Sequence, residues 1–322
     1  MKRLYHTIAS AILILFLLPV QVQAAQMLIP GGQVVGLQLQ NGSLTVAAYD
    51  DHLGANARDA GLKIGDEILS VDGKTVSSAE DIRSALAQNP SSVTLSVRRS
   101  GKEQSLTLTP CHTDNGPRLG IHLKQGITGI GTVTWYDPGT GAFGTLGHGV
   151  SAPKGGLLNM TAGTAYNAQV VSAKKGRPGE PGLLKGSADG LGICGSLLKN
   201  THQGVFGISK QGWRGEPLPV ADFEDVHTGS AHIRSTVDDR GVQEYSVEIL
   251  KIYPRERSNG RNFLIKVTDP VLLDKTGGIV QGMSGSPIIQ NGKLVGAVTH
   301  VLVNSPDTGY GIFIENMLDA AA

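Results

Sequence analysis

Short runs in which apolar and polar residues alternate make up most of the chain, and such runs predict β-strands. Helical periodicity in the part after residue 118 is confined to the tail around Ile314–Leu318. Many short strands separated by turns predict a barrel or a sandwich there. Glycine and other turn residues separate the apolar runs, which lie at Gly129–Thr134, Gly141–Thr145, Gln169–Ala173, Val242–Ile252, Phe263–Val267 and Leu294–Val301.

The preceding part, from about Met27 to Pro110, mixes strands with helical turns. Two predicted strands, Val34–Leu39 and Gly42–Ala47, are joined by an Asn41-Gly42 turn. Ser77 followed by Glu80 forms a capping-box pattern that predicts the start of a helix. The apolar stripe of that helix consists of Ile82 and Leu86.

This order of elements, together with the string GLKIGDEILSVDGKTV at Gly61–Val76, resembles a PDZ domain of the bacterial arrangement. The resemblance implies a groove beside the helix Ser78–Gln88 in which an extended peptide adds as a further strand. It also implies a loop that receives the peptide carboxylate. The alternative is that the loop residues only begin a strand; they are Val34, Val35, Gly36 and Leu37.

The first 25 residues have the layout of a secretory signal. Lys2 and Arg3 precede an apolar run, Ile8–Val20, and small residues follow at Ala24-Ala25. At about 1.5 Å per residue, this run is shorter than the ~30 Å apolar layer of a membrane. We therefore expect residues 1–25 to be a signal peptide, with an uncleaved anchor as the alternative, and the rest of the chain to lie outside the cytoplasm.

Composition narrows the class of protein. Glycine supplies 44 of 322 residues, and 28 Lys+Arg balance 27 Asp+Glu. Because no basic block is present, nucleic acid is not expected as a partner. Two cysteines, Cys111 and Cys194, are compatible with one disulfide or with two free thiols. No metal-ligand spacing or phosphate-binding loop occurs, so neither a metal nor a cofactor is expected.

A polar linker, Cys111–Pro117, precedes the unit that carries the candidate chemistry, Arg118–Ala322. Its strongest motif is Gly282-Met283-Ser284-Gly285-Ser286-Pro287, which stands ahead of a predicted hairpin. Flanking glycines permit a tight turn that presents the Ser284 hydroxyl as a nucleophile. The amides of Gly282 and Ser284 are the predicted oxyanion hole.

A serine nucleophile needs a base, and His148 is the best candidate among nine histidines. It ends an apolar strand between Gly147 and Gly149, and His300, after the serine hairpin, is the rival. A carboxylate should orient the base. Asp269, at the end of the strand Phe263–Val267, is the candidate for this third role; its competitors are Asp189 and Asp274.

The stretch IVQGMSGSPIIQNGKLVGAVTHVLVNSPDTGYGIFIENML, with FGTLGHGV upstream and a PDZ-like unit in front, resembles the stage IV sporulation protein B serine peptidase family. The resemblance implies a serine endopeptidase with a chymotrypsin-like double β-barrel. The family's catalytic residues fall on His148, Asp269 and Ser284. Met283 stands where digestive relatives of this fold carry an acid that pairs with a freed N-terminus, so activation by that salt bridge is not expected. Gly278 stands where trypsin-like relatives carry an acid at the base of the pocket, so a Lys- or Arg-selective pocket is not expected.

Family membership further implies a signalling protease in the space between the two forespore membranes. Such an enzyme cleaves itself and a membrane-bound regulator of an intramembrane metalloprotease, which triggers processing of a late sigma factor. The alternatives are a quality-control protease of the HtrA type, a catalytically inactive PDZ adaptor, and a paralogue with another sporulation target. In HtrA proteases the PDZ domain follows the protease, whereas here it precedes it.

Overall fold

Strands dominate the computed structural model, which describes residues 26–152, 155–257 and 260–322. The predicted signal segment, residues 1–25, lies outside these ranges. Within them, no helix has the length and apolar character needed to cross a membrane. The strands are β1 (Met27–Pro30), β2 (Val34–Tyr49), β3 (Glu67–Val71), β4 (Lys74–Thr75), β5 (Val93–Arg99), β6 (Lys102–Leu108), β7 (Cys111–Thr113), β8 (Gly116–Arg118), β9 (Ile121–Tyr136), β10 (Ala142–Thr145), β11 (Ala162–Asn167), β12 (Gln169–Lys174), β13 (Leu183–Ser187), β14 (Ile193–Thr201), β15 (Gly204–Ser209), β16 (Leu218–Pro219), β17 (Gly229–Thr236), β18 (Val242–Ile252), β19 (Phe263–Val267), β20 (Pro287–Gln290), β21 (Lys293–Leu302) and β22 (Ser305–Phe313).

The helices of the described ranges are short and lie at the edges of the sheets. A single 3-10 turn occupies Phe223–Asp225. The α-helices are α1 (Ala55–Asp59), α2 (Ala79–Gln88), α3 (Pro270–Thr276) and α4 (Ile314–Ala321).

Six strands pair in a ring that forms a first β-barrel. The ring runs from β2 through β9, β10, β15, β14 and β11 and returns to β2. Only the first half of β2 takes part, with Val34–Leu39 paired to Ile127–Thr132 of β9 and Val35–Gln40 paired to β11. Alternation directs every second residue of this half-strand into the barrel core; these residues are Val35, Leu37 and Leu39.

This placement corrects the predicted PDZ loop. The structure places these residues in a barrel strand that is hydrogen-bonded on both edges, so they cannot receive a peptide carboxylate. An alternating run fits a strand of either sheet equally well, because its period says only that one face is buried. The residues concerned are Val34, Val35, Gly36 and Leu37.

The PDZ unit is an insertion within the first barrel. The second half of β2, from Leu44, pairs with β3 and with the first half of β9, and the PDZ core extends from Leu44 to Leu119. β2 therefore passes from one unit to the other with a register shift between Leu39 and Leu44, and Asn41-Gly42 makes no hairpin turn. The PDZ unit therefore begins later and ends later than the predicted boundaries at Met27 and Pro110. The segment predicted to be a linker forms a hairpin of β7 and β8.

Helix α2 forms one wall of the PDZ unit, and its apolar stripe is confirmed. Ile82 and Leu86 are both buried. The capping box lies one residue later than predicted: Ser78 accepts from the amide of Asp81, whose carboxylate accepts from the amide of Ser78. Ser77 and Ser78 are each followed by an acidic residue three positions later. The sequence pattern therefore fits a capping box that begins at either serine.

The second barrel is closed by β17, β18, β19, β22, β21 and β20 in that order. Its core includes Phe263 and Phe313, whose rings meet edge to face with centroids 4.5 Å apart. The predicted fold class is thus confirmed: a mainly β chain with two six-stranded β-barrels and a smaller α/β unit.

Both cysteines are free thiols. Cys111 is half-buried, and its thiol donates to the carbonyl of Leu53 at 3.2 Å. Cys194 is buried in the first barrel, and burial raises its pKa to about 11. A thiol with such a pKa stays protonated and unreactive near neutral pH.

Candidate active site

A cleft of about 660 Å³ between the barrels contains the predicted nucleophile and base. Ser284 comes from the second barrel and His148 from the loop after β10 of the first. Among the described residues that line the cleft, none carries a carboxylate, ammonium or guanidinium group. Most of the wall is aliphatic and includes Leu37, Leu39, Ile127, Ile130, Leu146 and Leu157.

The loop that presents Ser284 is tied to the first barrel through Thr132 of β9. The Thr132 amide donates to the carbonyl of Ser284 at 3.0 Å, and its hydroxyl donates to the carbonyl of Gly282 at 2.9 Å. Gly285 has φ +96°, and a Cβ on it would lie 2.1 Å from the backbone carbonyl oxygen of Thr132. Only glycine fits that approach. The sequence carried no signal for Thr132 beyond its place in a strand.

The amides of Gly282 and Ser284 are available as an oxyanion hole. In the described ranges neither donates to a protein acceptor, whereas Met283 donates to Val280 and Gly285 donates to Val298. The two carbonyls of the loop are turned to β9, as described above. Two free amides beside a serine hydroxyl are the donors that stabilise a tetrahedral intermediate.

His148 is held in the protonation state that a general base requires. Its Nδ1 lies 3.0 Å from the carbonyl oxygen of Gly149, which can only accept, so Nδ1 carries the proton and Nε2 is free to accept. Burial lowers the pKa of His148, which keeps the ring neutral at neutral pH. The preceding Leu146 has φ 71°, a strained value of the kind found at functional sites.

The Ser284 hydroxyl donates to the carbonyl of Thr299 at 2.9 Å in this structure. No hydrogen bond to His148 is formed in the described ranges, although both side chains face the same cleft. Transfer of the proton to His148 therefore requires rotation of the serine side chain. Catalytic hydrogen bonds often tighten only when substrate is bound.

Asp269 is not brought to His148 in this structure. Its carboxylate accepts from the amides of Val271 and Leu272 at the start of α3 and from the amide of Ser246. Burial lowers the pKa of His148, and no described carboxylate forms a hydrogen bond or ion pair with its ring. The role of Asp269 as third member of a triad stays a prediction that this geometry does not support.

The competing carboxylates are also engaged elsewhere. The carboxylate of Asp189 accepts a hydrogen bond from the hydroxyl of Ser187, and the carboxylate of Asp274 lies 3.8 Å from the ammonium group of Lys175. Neither forms a hydrogen bond or ion pair with His148 within the described ranges. The structure therefore brings the predicted nucleophile and base into one cleft, but none of the three candidate acids to the base.

His300 is the second histidine in the cleft. It lies at 5.2 Å from His148 between ring centroids, and an exposed third histidine, His202, lines the rim. Burial and the neighbouring His148 and Arg261 lower the pKa of His300 to about 4, so this ring too is neutral. Its position in the sequence had suggested only a rival base.

The structure also explains Gly278 and Met283. A Cβ on Gly278, whose φ is +133°, would lie 2.1 Å from the Pro306 carbonyl oxygen, so no acidic side chain fits there. Met283 is fully buried among the apolar residues of the second barrel. Neither position supplies charge to the cleft.

Comparison with known proteins identifies two family matches in the chain. The model of the SpoIVB peptidase S55 family matches residues 115–318. The model of a PDZ domain matches residues 52–99. The first match covers more than half of the chain and includes His148, Asp269 and Ser284.

Curated relatives match over shorter segments. A protein of Agrobacterium fabrum named "Putative zinc metalloprotease Atu1380" is 36% identical over 77 residues, which are 24% of this chain and 20% of that protein. One of Lactococcus lactis named "Putative zinc metalloprotease LL2128" is 33% identical over 160 residues, 47% of this chain and 36% of that protein. The chain thus spans about a fifth to a third of the length of these relatives.

Solved structures with low identity match more of the chain. The active form of the Rv3671c protease from M. tuberculosis has 14% identity and a TM-score of 0.37, over 61% of this chain and 75% of that one. The HtrA-type protease AlgW with a decapeptide has 14% identity and a TM-score of 0.36, over 74% of this chain and 65% of that one.

Proposed function

The chain belongs to the SpoIVB peptidase S55 family and is a serine endopeptidase, and we propose that it acts as a signalling protease in sporulation. In this proposal it cleaves itself and a membrane-bound regulator of an intramembrane metalloprotease, and this cleavage triggers processing of a late sigma factor. The observation that carries the proposal is the cleft itself, where Ser284, His148 and two free amides meet within a chain of this family.

The proposed reaction is acyl transfer through Ser284. Nε2 of His148 takes the proton of the hydroxyl as Ser284 attacks the peptide carbonyl, and the amides of Gly282 and Ser284 hold the oxyanion. His148 then gives the proton to the leaving amine. Water activated by His148 releases the acyl group, and the proton returns to Ser284.

The cleft favours substrates with apolar side chains around the scissile bond. Its walls are aliphatic, and the rings of His148 and His300 are neutral because burial lowers the pKa of both. A charged substrate side chain would lose hydration there without gaining a partner. We propose that cleavage sites with Lys, Arg, Asp or Glu next to the scissile bond are poor substrates.

The PDZ unit is proposed to bind an extended segment of the substrate or of the enzyme itself. Between Leu119 and Leu123 the chain runs opposite α2, and the two line a groove of about 460 Å³. Here β9 is paired only with β2 within the described residues, so its other edge can accept a peptide as an additional strand. Arg83 and Arg118 on the rim supply positive charge for a peptide carboxylate.

The site of action is proposed from the signal-like start of the chain. Lys2, Arg3 and the apolar run that follows would export the protein into the space between the two forespore membranes, where this segment would anchor it until it is cleaved. Export is tested by fusing residues 1–25 to a reporter that is active only outside the cytoplasm.

The proposed function is tested by expressing the full chain with the candidate membrane-bound regulator and following both by immunoblotting. The expected result is a shortened regulator and a shortened enzyme with the wild type, and intact proteins with Ser284→Ala. An unchanged regulator beside a self-cleaving enzyme would reject this substrate and leave the peptidase intact. Degradation of unfolded model proteins as fast as of the regulator would favour the quality-control alternative.

A further inference from the structure

Two neutral imidazoles lie side by side in the catalytic cleft. The rings of His148 and His300 have centroids 5.2 Å apart and planes inclined at 41°. They come from different barrels, because His300 lies on β21 directly after Thr299. Since the Thr299 carbonyl accepts from the Ser284 hydroxyl, His300 adjoins both members of the reacting pair.

The surroundings of this pair contain no acid in the described ranges. His148 faces aliphatic side chains of β2 and β9, Ser284 on the serine loop, and exposed His202 on the turn between β14 and β15. His300 faces His148, and the charge of Arg261 lies near enough to lower the pKa of His300. No described carboxylate forms a hydrogen bond or ion pair with either ring.

His300 has a buried ring nitrogen, Nδ1, without a hydrogen-bond partner among the described residues, which lowers the stability of the fold. Buried polar atoms are nearly always paired, and an apolar side chain would fill the same place without the loss. An exception of this kind next to a nucleophile and a base calls for a functional reason.

We infer that His300 is a positioning residue for the base: its neutral ring packs against the imidazole of His148 and fixes its orientation in the cleft. In a Ser-His-Asp triad one carboxylate sets both the tautomer and the orientation of the histidine. Here the Gly149 carbonyl sets the tautomer, and His300 confines the ring plane. The inference rests on the proposed roles of Ser284 and His148.

This arrangement makes a distinct prediction about the protonation of His148. A carboxylate partner would raise the pKa of the base, whereas a neutral aromatic neighbour shields it from water and keeps the pKa low. Replacing His300 by a small side chain admits water, and the pKa of His148 should rise toward the ordinary value. An acidic side chain at the same position should raise it further.

The experiment follows the titration of His148 by NMR through its ring Cε1–H signal, in full-chain protein with Ser284→Ala as the background. In this background we expect His300→Ala to move the His148 titration to higher pH and His300→Asp to move it beyond the ordinary histidine range. In the active enzyme, His300→Ala should lower kcat for a small peptide ester by about 100-fold with little change in KM. His300→Asp should restore part of the rate, with the acid limb of the pH profile at higher pH.

Asp269→Asn is the matched comparison, because asparagine can still cap α3. It should leave the His148 titration unchanged. The inference is overturned if His300→Ala leaves the titration at its wild-type position, whatever the loss of rate, or if Asp269→Asn moves it. Should His300→Ala not fold, His300→Gln serves in the same titration. Turnover of the ester by Ser284→Ala would instead reject the roles of Ser284 and His148.

Discussion

The two ends of the β2–β9 ribbon face different grooves. At the barrel end, Thr132 of β9 holds the carbonyls of the serine loop, and the surrounding walls are aliphatic and uncharged. At the PDZ end, no described strand pairs with the outer edge of β9, and the rim of the groove carries Arg83 and Arg118. The same two strands thus border the proposed catalytic cleft at one end and the proposed peptide groove at the other.

Because β2 and β9 belong to both the first barrel and the PDZ unit, no linker separates these two parts of the chain. Backbone pairing on both edges makes Val34–Gln40 a structural part of the catalytic barrel, whereas the PDZ unit is a loop of the chain inserted into that barrel. A strand edge left free can bind a peptide, and a strand paired on both sides can only hold other strands in place.

Chain truncation is expected to have the largest effect. A protein of residues 118–322 lacks Val34–Gln40, so the first barrel opens between β9 and β11, and we expect it to be unfolded and inactive. Circular dichroism and hydrolysis of a peptide ester measure this.

The matched variant removes residues 44–124 and joins the halves of the β2–β9 ribbon by the short segment that remains. Because all six strands of the first barrel are kept, it should fold and hydrolyse the ester while losing PDZ-dependent binding. A folded, active 118–322 protein would refute the shared-strand arrangement.

Gly285→Ala tests the contact between the serine loop and β9. The added Cβ meets the Thr132 oxygen at 2.1 Å in a backbone with φ +96°, so we expect a loss of about 3 kcal/mol in the free energy of unfolding. Gly292→Ala is the control, because its φ is +72° but nothing lies within 4 Å, and about 1 kcal/mol of strain is expected. Urea denaturation of the two variants should separate them; equal losses would argue against this contact.

The buried histidines predict that stability falls in acid. The pKa of His300 is lowered from 6.5 to about 4, so between these values the unfolded chain binds a proton that the folded chain does not. The stabilisation is complete above pH 6.5 and is lost as the pH falls toward 4, by about 1–2 kcal/mol after allowance for solvent screening. His300→Gln should flatten this part of the curve in denaturant titrations, and an unchanged slope would contradict it.

The smallest effect is expected at the PDZ end. Arg83→Glu reverses an exposed charge on the groove rim and should slow cleavage of a protein substrate about two- to five-fold through weaker peptide binding. Hydrolysis of a small ester should not change, because the cleft is untouched. Lys102→Glu, on exposed β6 outside the groove, controls for net charge. Equal slowing of ester and protein would show that the two grooves are not separate.

Local chemistry could be predicted from the sequence, and long-range assembly could not. Ser284 and His148 stand in glycine-rich turns whose function follows from neighbouring residues. The partner of His148 depends on how the two barrels pack together, and no local sequence pattern encodes that packing. An acidic residue at the end of β19 was compatible both with a triad acid and with the helix N-cap that Asp269 forms. The PDZ loop was wrongly assigned to Val34–Leu37 for the same reason, because an alternating pattern does not say which sheet a strand joins.

The central claim is that His148 activates Ser284 in the cleft between the barrels. Incubation with a fluorophosphonate, followed by peptide mass spectrometry, tests it most directly. We predict one adduct, on the Ser284 hydroxyl, in the wild type, and none in Ser284→Ala or His148→Ala at neutral pH. An adduct on another residue, or full labelling of Ser284 in His148→Ala, would contradict the account.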